Sequence, residues 1–189
     1  MGAERAVARI LRADGGTAGL CFLVAGGRLV TCAHVVNTAL GRPRKSPDRP
    51  EGTVRLRFAF DAGEVRDATV AAWCPGERWT PDGDLAVLAL TGAPPEGLGG
   101  LVMAAAMPES STRVQLCGPD GDDRVKHVVG TLLGATGRGL RQIDQSRSGA
   151  HQASAGFSGG PVWLDGSGEV VGVMRAARGG EGVDVDCLE

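Results

Sequence analysis

The sequence predicts an all-β protein, because short apolar segments alternate with turn signals and helical periodicity is almost absent. Glycine accounts for 31 of the 189 residues without a collagen-like repeat, which indicates a chain that turns often. Apolar runs of strand length lie between Gly, Pro, Asp and Ser clusters, as expected for strands. Many short strands with few helices are typical of a β-barrel or a β-sandwich.

The first half of the chain is predicted to form strands over residues 6–11, 18–24, 28–31, 54–60, 65–73 and 85–90. Gly26 and Gly27 are expected to form a two-residue hairpin turn, so paired residue numbers sum to 53 and Cys21 lies opposite Cys32. Residues 33–39 follow as a short helical turn. Residues 41–52, rich in proline and basic residues, form a surface loop, with a substrate-contacting loop as the alternative.

The second half repeats this style after a connector over residues 91–100, which has Pro-Pro, several glycines and no periodicity. Strands are predicted over residues 114–117, 126–133, 140–143, 160–164 and 170–175, with a hairpin turn at 165–168. At this length one domain is the default expectation.

Composition and charge narrow the function classes. The formal net charge of −2 does not favour nucleic acid or an anionic membrane as a partner. No apolar run approaches the roughly 18 residues of a membrane helix, and the first residues do not resemble a signal peptide. The five cysteines are widely spaced and are predicted to be reduced, mostly buried thiols, so we expect a cytoplasmic protein.

One glycine-rich stretch, GFSGGPVW at residues 156–163, places Ser158 in a sharp turn before an apolar strand. Such a turn can present a hydroxyl together with backbone N–H groups, which an acyl-transfer site requires. Taken alone, the stretch is equally compatible with a glycine-rich hairpin whose serine has no chemical role. His34 and Asp84 upstream favour the chemical interpretation, because His, Asp and Ser then follow in the order that the chymotrypsin triad has.

Three motifs carry a family resemblance. TCAHVV at 31–36 resembles a Thr-Ala-Ala-His motif, DLAVL at 84–88 resembles the Asp-containing strand start, and GFSGGP resembles Gly-Asp-Ser-Gly-Gly-Pro. The chain therefore resembles the trypsin-like (chymotrypsin-fold) serine peptidases, and in particular the bacterial intracellular type found as a domain of multidomain proteins. The resemblance implies two six-stranded antiparallel β-barrels, over residues 1–92 and 93–189, with the active site in the cleft between them.

The resemblance, together with elementary acid–base chemistry, assigns roles to the site residues. Ser158 is the expected nucleophile, His34 the general base, and Asp84 the carboxylate that orients the imidazole. The backbone N–H groups of Gly156 and Ser158 form the expected oxyanion hole, and neither a metal nor a cofactor is implied. Other residues could compete for two of these roles: His127 and His151 for the base, and Asp82 for the carboxylate.

The substrate pocket departs from a trypsin-like preference for basic side chains. By resemblance Gln152 lies at the pocket base, with walls formed by Ala153, Arg175, Ala176 and Ala177. No carboxylate is at the base, so a preference for Lys or Arg is not supported, and the small walls could admit an apolar side chain. Arg175 and Arg178 leave an acidic side chain open, although a solvated face is their more usual role.

Activation is also expected to differ from that of secreted relatives. Many of them have an Asp before the serine that pairs with a newly cleaved N-terminus, and here that position is Phe157. The C-terminal helix of the family is not evident after residue 185, so the chain resembles a domain excised from a longer protein. Its regulation is then expected from attached domains, or from ordering of the loop over residues 149–156.

The sequence thus predicts a serine endopeptidase whose partner is a protein or peptide substrate. Two other functions remain open: a non-catalytic module that binds peptides through a peptidase fold, and an esterase-like hydrolase that uses the same three residues.

Overall fold

The computed structural model describes residues 2–59, 64–76, 83–120, 124–135, 140–145, 153–154, 156–178 and 182–187. Within these ranges, twelve strands form two closed, antiparallel, six-stranded barrels. The predicted fold class is therefore confirmed. Among the same residues, no helix is long and apolar enough to cross a membrane.

The first barrel has the strand order β1-β2-β3-β6-β5-β4 and closes by pairing of β1 with β4. Its strands are β1 Val7–Leu11, β2 Thr17–Val24, β3 Arg28–Cys32, β4 Val54–Phe58, β5 Arg66–Cys74 and β6 Leu85–Leu90. Helix α1, Ala33–Ala39, follows β3 with the bounds that the sequence predicts. A 3-10 helix over Ala3–Ala6 was not predicted, and β1 consequently begins one residue later than expected.

The second barrel has the order β10-β11-β12-β9-β8-β7 and closes by pairing of β10 with β7. Its strands are β7 Arg113–Asp120, β8 Arg124–Ala135, β9 Arg141–Asp144, β10 Pro161–Leu164, β11 Val170–Arg178 and β12 Gly182–Cys187. Strands β7, β8 and β11 extend beyond their apolar segments, because backbone pairing continues through polar positions such as Arg124 opposite Asp120. Residues 91–112 join the barrels and contain no strand beyond one isolated bridge, Met103 to Val170.

The hairpin between β2 and β3 corrects one prediction. The ladder pairs Phe22 with Val30 and Val24 with Arg28, so paired residue numbers sum to 52 and not to 53. The reason is that Ala25 joins the two glycines in a three-residue 3-10 turn. A slip of one residue turns a side chain to the other face of a sheet. The prediction that Cys21 lies opposite Cys32 is therefore wrong.

The cysteine side chains are otherwise close to expectation. Cys21, Cys32 and Cys117 are buried, Cys74 is exposed, and none of these four forms a disulfide. Burial, with a smaller effect from the charge of Glu4, raises the pKa of Cys117 to about 12. Burial also raises the pKa of Cys21, so both are protonated thiols at neutral pH. The side chain of Cys187 lies outside the described residues.

The two barrels share a packed boundary. The main apolar core combines the interior of the first barrel with four side chains of the second: Cys117, Trp163, Val170 and Val173. A separate cluster inside the second barrel contains Phe157, Leu132 and Ile143. Backbone hydrogen bonds also cross the boundary, such as that from the N–H of Leu20 in β2 to the carbonyl of Ser158 before β10, 2.8 Å long. Apolar contact and hydrogen bonding together fix how the strand ends of the two barrels meet.

Candidate active site

His34 and Asp84 meet where two paired strands end. Strand β3 pairs with β6 as far as Cys32 opposite Leu85. His34 follows β3 in the first turn of α1, and Asp84 immediately precedes β6. The ring Nδ1 of His34 lies 2.7 Å from Oδ2 of Asp84, and the backbone N–H of His34 donates to Oδ1 at 2.9 Å. Both carboxylate oxygens therefore engage the same histidine.

The backbone of Asp84 adopts an uncommon conformation. Its φ is +64°, in the left-handed region, which costs a non-glycine residue about 1 kcal/mol, although Asp tolerates it better than most. The backbone carbonyl of Asp84 accepts a hydrogen bond of 3.0 Å from the N–H of Ala33. This bond and the two from His34 hold the residue in that conformation and aim its carboxylate at the imidazole.

Asp84 is an ionised carboxylate in a buried setting. Its exposed fraction is 8%, and that of His34 is 9%. Burial by itself would raise the pKa of Asp84. The hydrogen bond and charge of His34, with the positive charge of Arg175, outweigh burial and hold the pKa of Asp84 below its ordinary value. Near neutral pH Asp84 is thus an acceptor for the ring N–H.

Ser158 lies in the turn before β10, at the boundary between the barrels. Its backbone carbonyl accepts a hydrogen bond of 2.8 Å from the N–H of Leu20 in β2. Its hydroxyl donates to the carbonyl of Arg175 in β11, at 2.9 Å. Ser158 and His34 are both among the described residues, and no hydrogen bond joins the serine hydroxyl to the imidazole in this arrangement.

The turn around Ser158 offers backbone donors. Gly156 has a φ of +98°, which its lack of a Cβ permits. Phe157 is fully buried in the apolar cluster of the second barrel and so anchors the turn to that barrel. Among the described residues, none accepts a hydrogen bond from the N–H of Gly156 or of Ser158. These two N–H groups are therefore available to an oxygen atom of a ligand.

The competing residues are placed only in part. His127 is exposed on β8, where it pairs with Cys117 in the ladder. Asp82 and His151 lie outside the described residues, as does Gln152 of the expected pocket. Ala153 is half-buried and its N–H donates to Oε1 of Gln145 at 2.7 Å. Ala176 and Ala177 belong to β11, but their side chains are not among those described.

Arg175 is placed differently from the solvated face that the sequence suggested. Its side chain is only 3% exposed, and its Nε lies 3.5 Å from Oδ2 of Asp84. The solvated interpretation of Arg175 is therefore wrong. The sequence did contain a signal, because the arginine directly continues the apolar run 170–174 of a strand. Its contact with Asp84 depends on the meeting of two barrels, which no local pattern encodes.

Cys32 also joins this cluster. Ligand atoms of Cys32, His34 and Asp84 lie within 4.8 Å of one another, a spacing that a metal ion could bridge. The chemistry of the donors does not favour a cation, however. The ring Nδ1 and the carboxylate are already hydrogen-bonded, the thiol of Cys32 faces the carbonyl of Met174 at 3.4 Å, and Arg175 places a positive charge beside Asp84. We assign no metal to these residues.

The family model of the trypsin-like peptidase domain matches residues 19–173, which include His34, Asp84 and Ser158. The chain belongs to this family. Its enzyme class is accordingly that of the serine endopeptidases, which are hydrolases. The match ends two residues before Arg175, so it assigns that residue no role. No curated protein matches the chain significantly.

Solved structures of serine proteases share the fold. The Rv3671c protease in its inactive form is 22% identical, with a TM-score of 0.68 over 98% of this chain and 84% of that one. The serine protease of a human pathogenic astrovirus is 17% identical, with a TM-score of 0.66, and the match covers 100% of this chain and 93% of that one. The serine endoprotease of Yersinia pestis is 17% identical, with a TM-score of 0.69 over 98% and 59%. At these identities the likeness concerns the fold.

Proposed function

We propose that the chain hydrolyses peptide bonds through an acyl-enzyme on Ser158, with His34 as general base and Asp84 as the orienting carboxylate. The observation that carries this proposal is the double contact of Asp84 with His34. A carboxylate that accepts from the ring Nδ1 leaves Nε2 as the proton acceptor, which is the tautomer that a base requires. The hydrogen bond to Asp84 thus assigns the tautomer of His34.

The reaction follows from these positions. The Ser158 hydroxyl leaves the carbonyl of Arg175, gives its proton to Nε2 of His34, and Oγ attacks the substrate carbonyl. The N–H groups of Gly156 and Ser158 stabilise the resulting oxyanion. Collapse breaks the C–N bond while the imidazolium protonates the leaving amine, and water then releases the acid by the same two proton transfers in reverse.

The substrate class is a peptide or protein with a small or apolar side chain at the cleavage site. The proposed pocket has Gln152 at its base and Ala153, Arg175, Ala176 and Ala177 in its walls, and Arg175 is the charged member of this set. The guanidinium of Arg175 lies against Asp84, so it does not support an acidic preference. Lys and Arg side chains would find no carboxylate in this set.

The cellular setting is part of the same proposal. We place the domain in the cytoplasm and within a longer parent chain, whose other domains regulate it. The low net charge favours neither nucleic acid nor an anionic membrane as a partner.

A digest of a peptide library tests the proposal. Purified protein and its Ser158→Ala variant are incubated with the library, and new termini are identified by mass spectrometry. We expect cleavage by the wild type and none by the variant. Peptides that bind without being cut would indicate the non-catalytic binding module. Hydrolysis of activated esters without cleavage of any peptide would indicate the esterase.

A further inference from the structure

We propose that Arg175 is a positioning residue of this site, whose buried guanidinium supplies a permanent countercharge that keeps Asp84 ionised and directed at His34. The inference deepens the proposed function and rests on it for its kinetic consequences. The observations are the 3% exposure of the Arg175 side chain and the 3.5 Å between its Nε and Oδ2 of Asp84. That oxygen is the one that faces Nδ1 of His34.

The charge balance of the cluster explains why a cation is needed. A buried carboxylate without a positive partner is costly and tends to take up a proton instead. A positive charge on His34 is absent whenever the imidazole is the neutral base that the reaction requires, so it is not a lasting countercharge for Asp84. When His34 is neutral, the charged group that lies within 4 Å of the Asp84 carboxylate, among the described residues, is the guanidinium of Arg175. Because a guanidinium does not lose its proton, this charge persists through the whole catalytic cycle.

Geometry gives the charge a directional role. Oδ2 of Asp84 lies 2.7 Å from Nδ1 of His34 and 3.5 Å from Nε of Arg175, while Oδ1 is held by the backbone N–H of His34. Rotation of the carboxylate away from the imidazole would therefore break the contact with the guanidinium as well. Arg175 thus gives the carboxylate a second contact, which comes from the other barrel.

The same residue also contacts the nucleophile. The backbone carbonyl of Arg175 accepts the hydrogen bond from the Ser158 hydroxyl, at 2.9 Å. One position in β11 therefore touches Ser158 through its main chain and Asp84 through its side chain. A shift of β11 would alter both contacts at once, and we expect side-chain variants to affect the Asp84 contact selectively.

The test compares Arg175→Met, which removes the charge, with Arg175→Lys, which keeps it. Arg175→Gln is a second neutral variant in case the methionine variant does not fold. Arg113→Met serves as the control, because Arg113 belongs to the same barrel, pairs with Asp165 at 2.7 Å and is 67% exposed. The rate of phosphonate labelling of Ser158 and the downfield NMR resonance of the His34 Nδ1 proton are measured for each folded variant.

We expect the neutral variants to label on the order of 10²-fold more slowly, because a small misplacement of a catalytic group has an effect of that size. We also expect them to weaken the Nδ1 resonance. Arg175→Lys should recover most of both signals, and Arg113→Met should match the wild type. In the Asp84→Asn background, removal of the Arg175 charge should slow the labelling of Ser158 little further, since the effect of this charge passes through Asp84.

Two results would overturn the role of Arg175. One is a neutral variant with wild-type labelling and an unchanged resonance. The other is an additional loss of the same factor in the Asp84→Asn background, which would place the action of Arg175 elsewhere. If the wild type itself is not labelled, the proposed function fails. The NMR comparison still decides then whether Arg175 positions the His34–Asp84 pair.

Discussion

Asp84 accepts two hydrogen bonds from His34, one from ring Nδ1 at 2.7 Å and one from the backbone N–H at 2.9 Å. The first bond selects the tautomer, and the second ties the carboxylate to the start of helix α1. Ring and carboxylate are therefore aligned before any substrate arrives. An arrangement that is rigid in the resting state avoids reorganisation during the reaction, which is how preorganised sites gain rate.

Asp84→Asn should abolish most activity while preserving the fold. The two bonds from His34 reach different oxygens of the carboxylate, and an amide replaces one of these oxygens with an NH₂ group that cannot accept. We expect kcat to fall by about 10⁴-fold, the size seen when a triad carboxylate becomes an amide. Asn tolerates the left-handed backbone, whereas Ala does not. Asp84→Ala should thus melt at a lower temperature than Asp84→Asn. Equal melting temperatures, or near-normal activity of the amide variant, would contradict this account.

Stability at acid pH should depend on Asp84. Its pKa is lower in the native protein than in the unfolded chain. At pH values near these two pKa values, the native state therefore binds fewer protons than the unfolded state. The stability that the carboxylate contributes is complete above the unfolded pKa of about 3.9 and is lost as the pH falls through the native pKa. Urea unfolding from about pH 5 to about pH 2 should show the wild type losing its advantage over Asp84→Asn. An advantage that does not change with pH would argue against the ionised, paired carboxylate.

The sequence allowed the local elements to be predicted better than their contacts. Helix α1 has the predicted bounds because its limits are set by neighbouring residues. The predicted β2–β3 register was wrong by one residue, because Ala25, which is not a typical turn residue, joins the two glycines in the turn. The contact of Arg175 with Asp84 arises from packing between the barrels, and the bond of Ser158 to Arg175 joins the serine turn to the neighbouring strand β11. No periodicity in the sequence predicts such contacts. The three motifs did indicate that His34, Asp84 and Ser158 belong to one site.

Gly19→Ala should impair the site from the first barrel. A Cβ at Gly19 would lie 2.7 Å from the carbonyl oxygen of Ser158 and within 2.8 Å of both γ-methyl groups of Val35. The serine turn or helix α1 must then shift, at a cost of about 1–3 kcal/mol of stability. A displacement of 1 Å at the nucleophile is expected to reduce kcat/KM by about 10²-fold.

Gly99→Ala is the matched control for this variant. Gly99 has no atom within 4 Å of the position that a Cβ would take, and it does not require a positive φ. It should therefore behave like the wild type in both thermal melts and kinetic assays. Full activity of Gly19→Ala would show that the serine turn does not depend on its contact with β2.

Activity should not require a free N-terminal amine. Phe157 occupies the position of the carboxylate that would bind such an amine, and its side chain is fully buried in the core of the second barrel. A folded tag fused to the N-terminus through a cleavable linker should leave phosphonate labelling unchanged. Loss of labelling in the fusion, with recovery after cleavage of the linker, would instead reveal an N-terminal mechanism.

The decisive measurement for the triad of Ser158, His34 and Asp84 is the mapping of a fluorophosphonate adduct by mass spectrometry. We expect one modified residue, Ser158, in the wild type. We also expect His34→Ala to reduce the labelling rate by about 10⁴-fold or more, because the hydroxyl loses its base. Ser158→Ala should fold normally, because the change removes one hydrogen bond, that to the Arg175 carbonyl. It should remain unlabelled, because the hydroxyl that the probe modifies is gone. An adduct on another residue, or labelling of Ser158 at the wild-type rate in His34→Ala, would contradict the proposed triad.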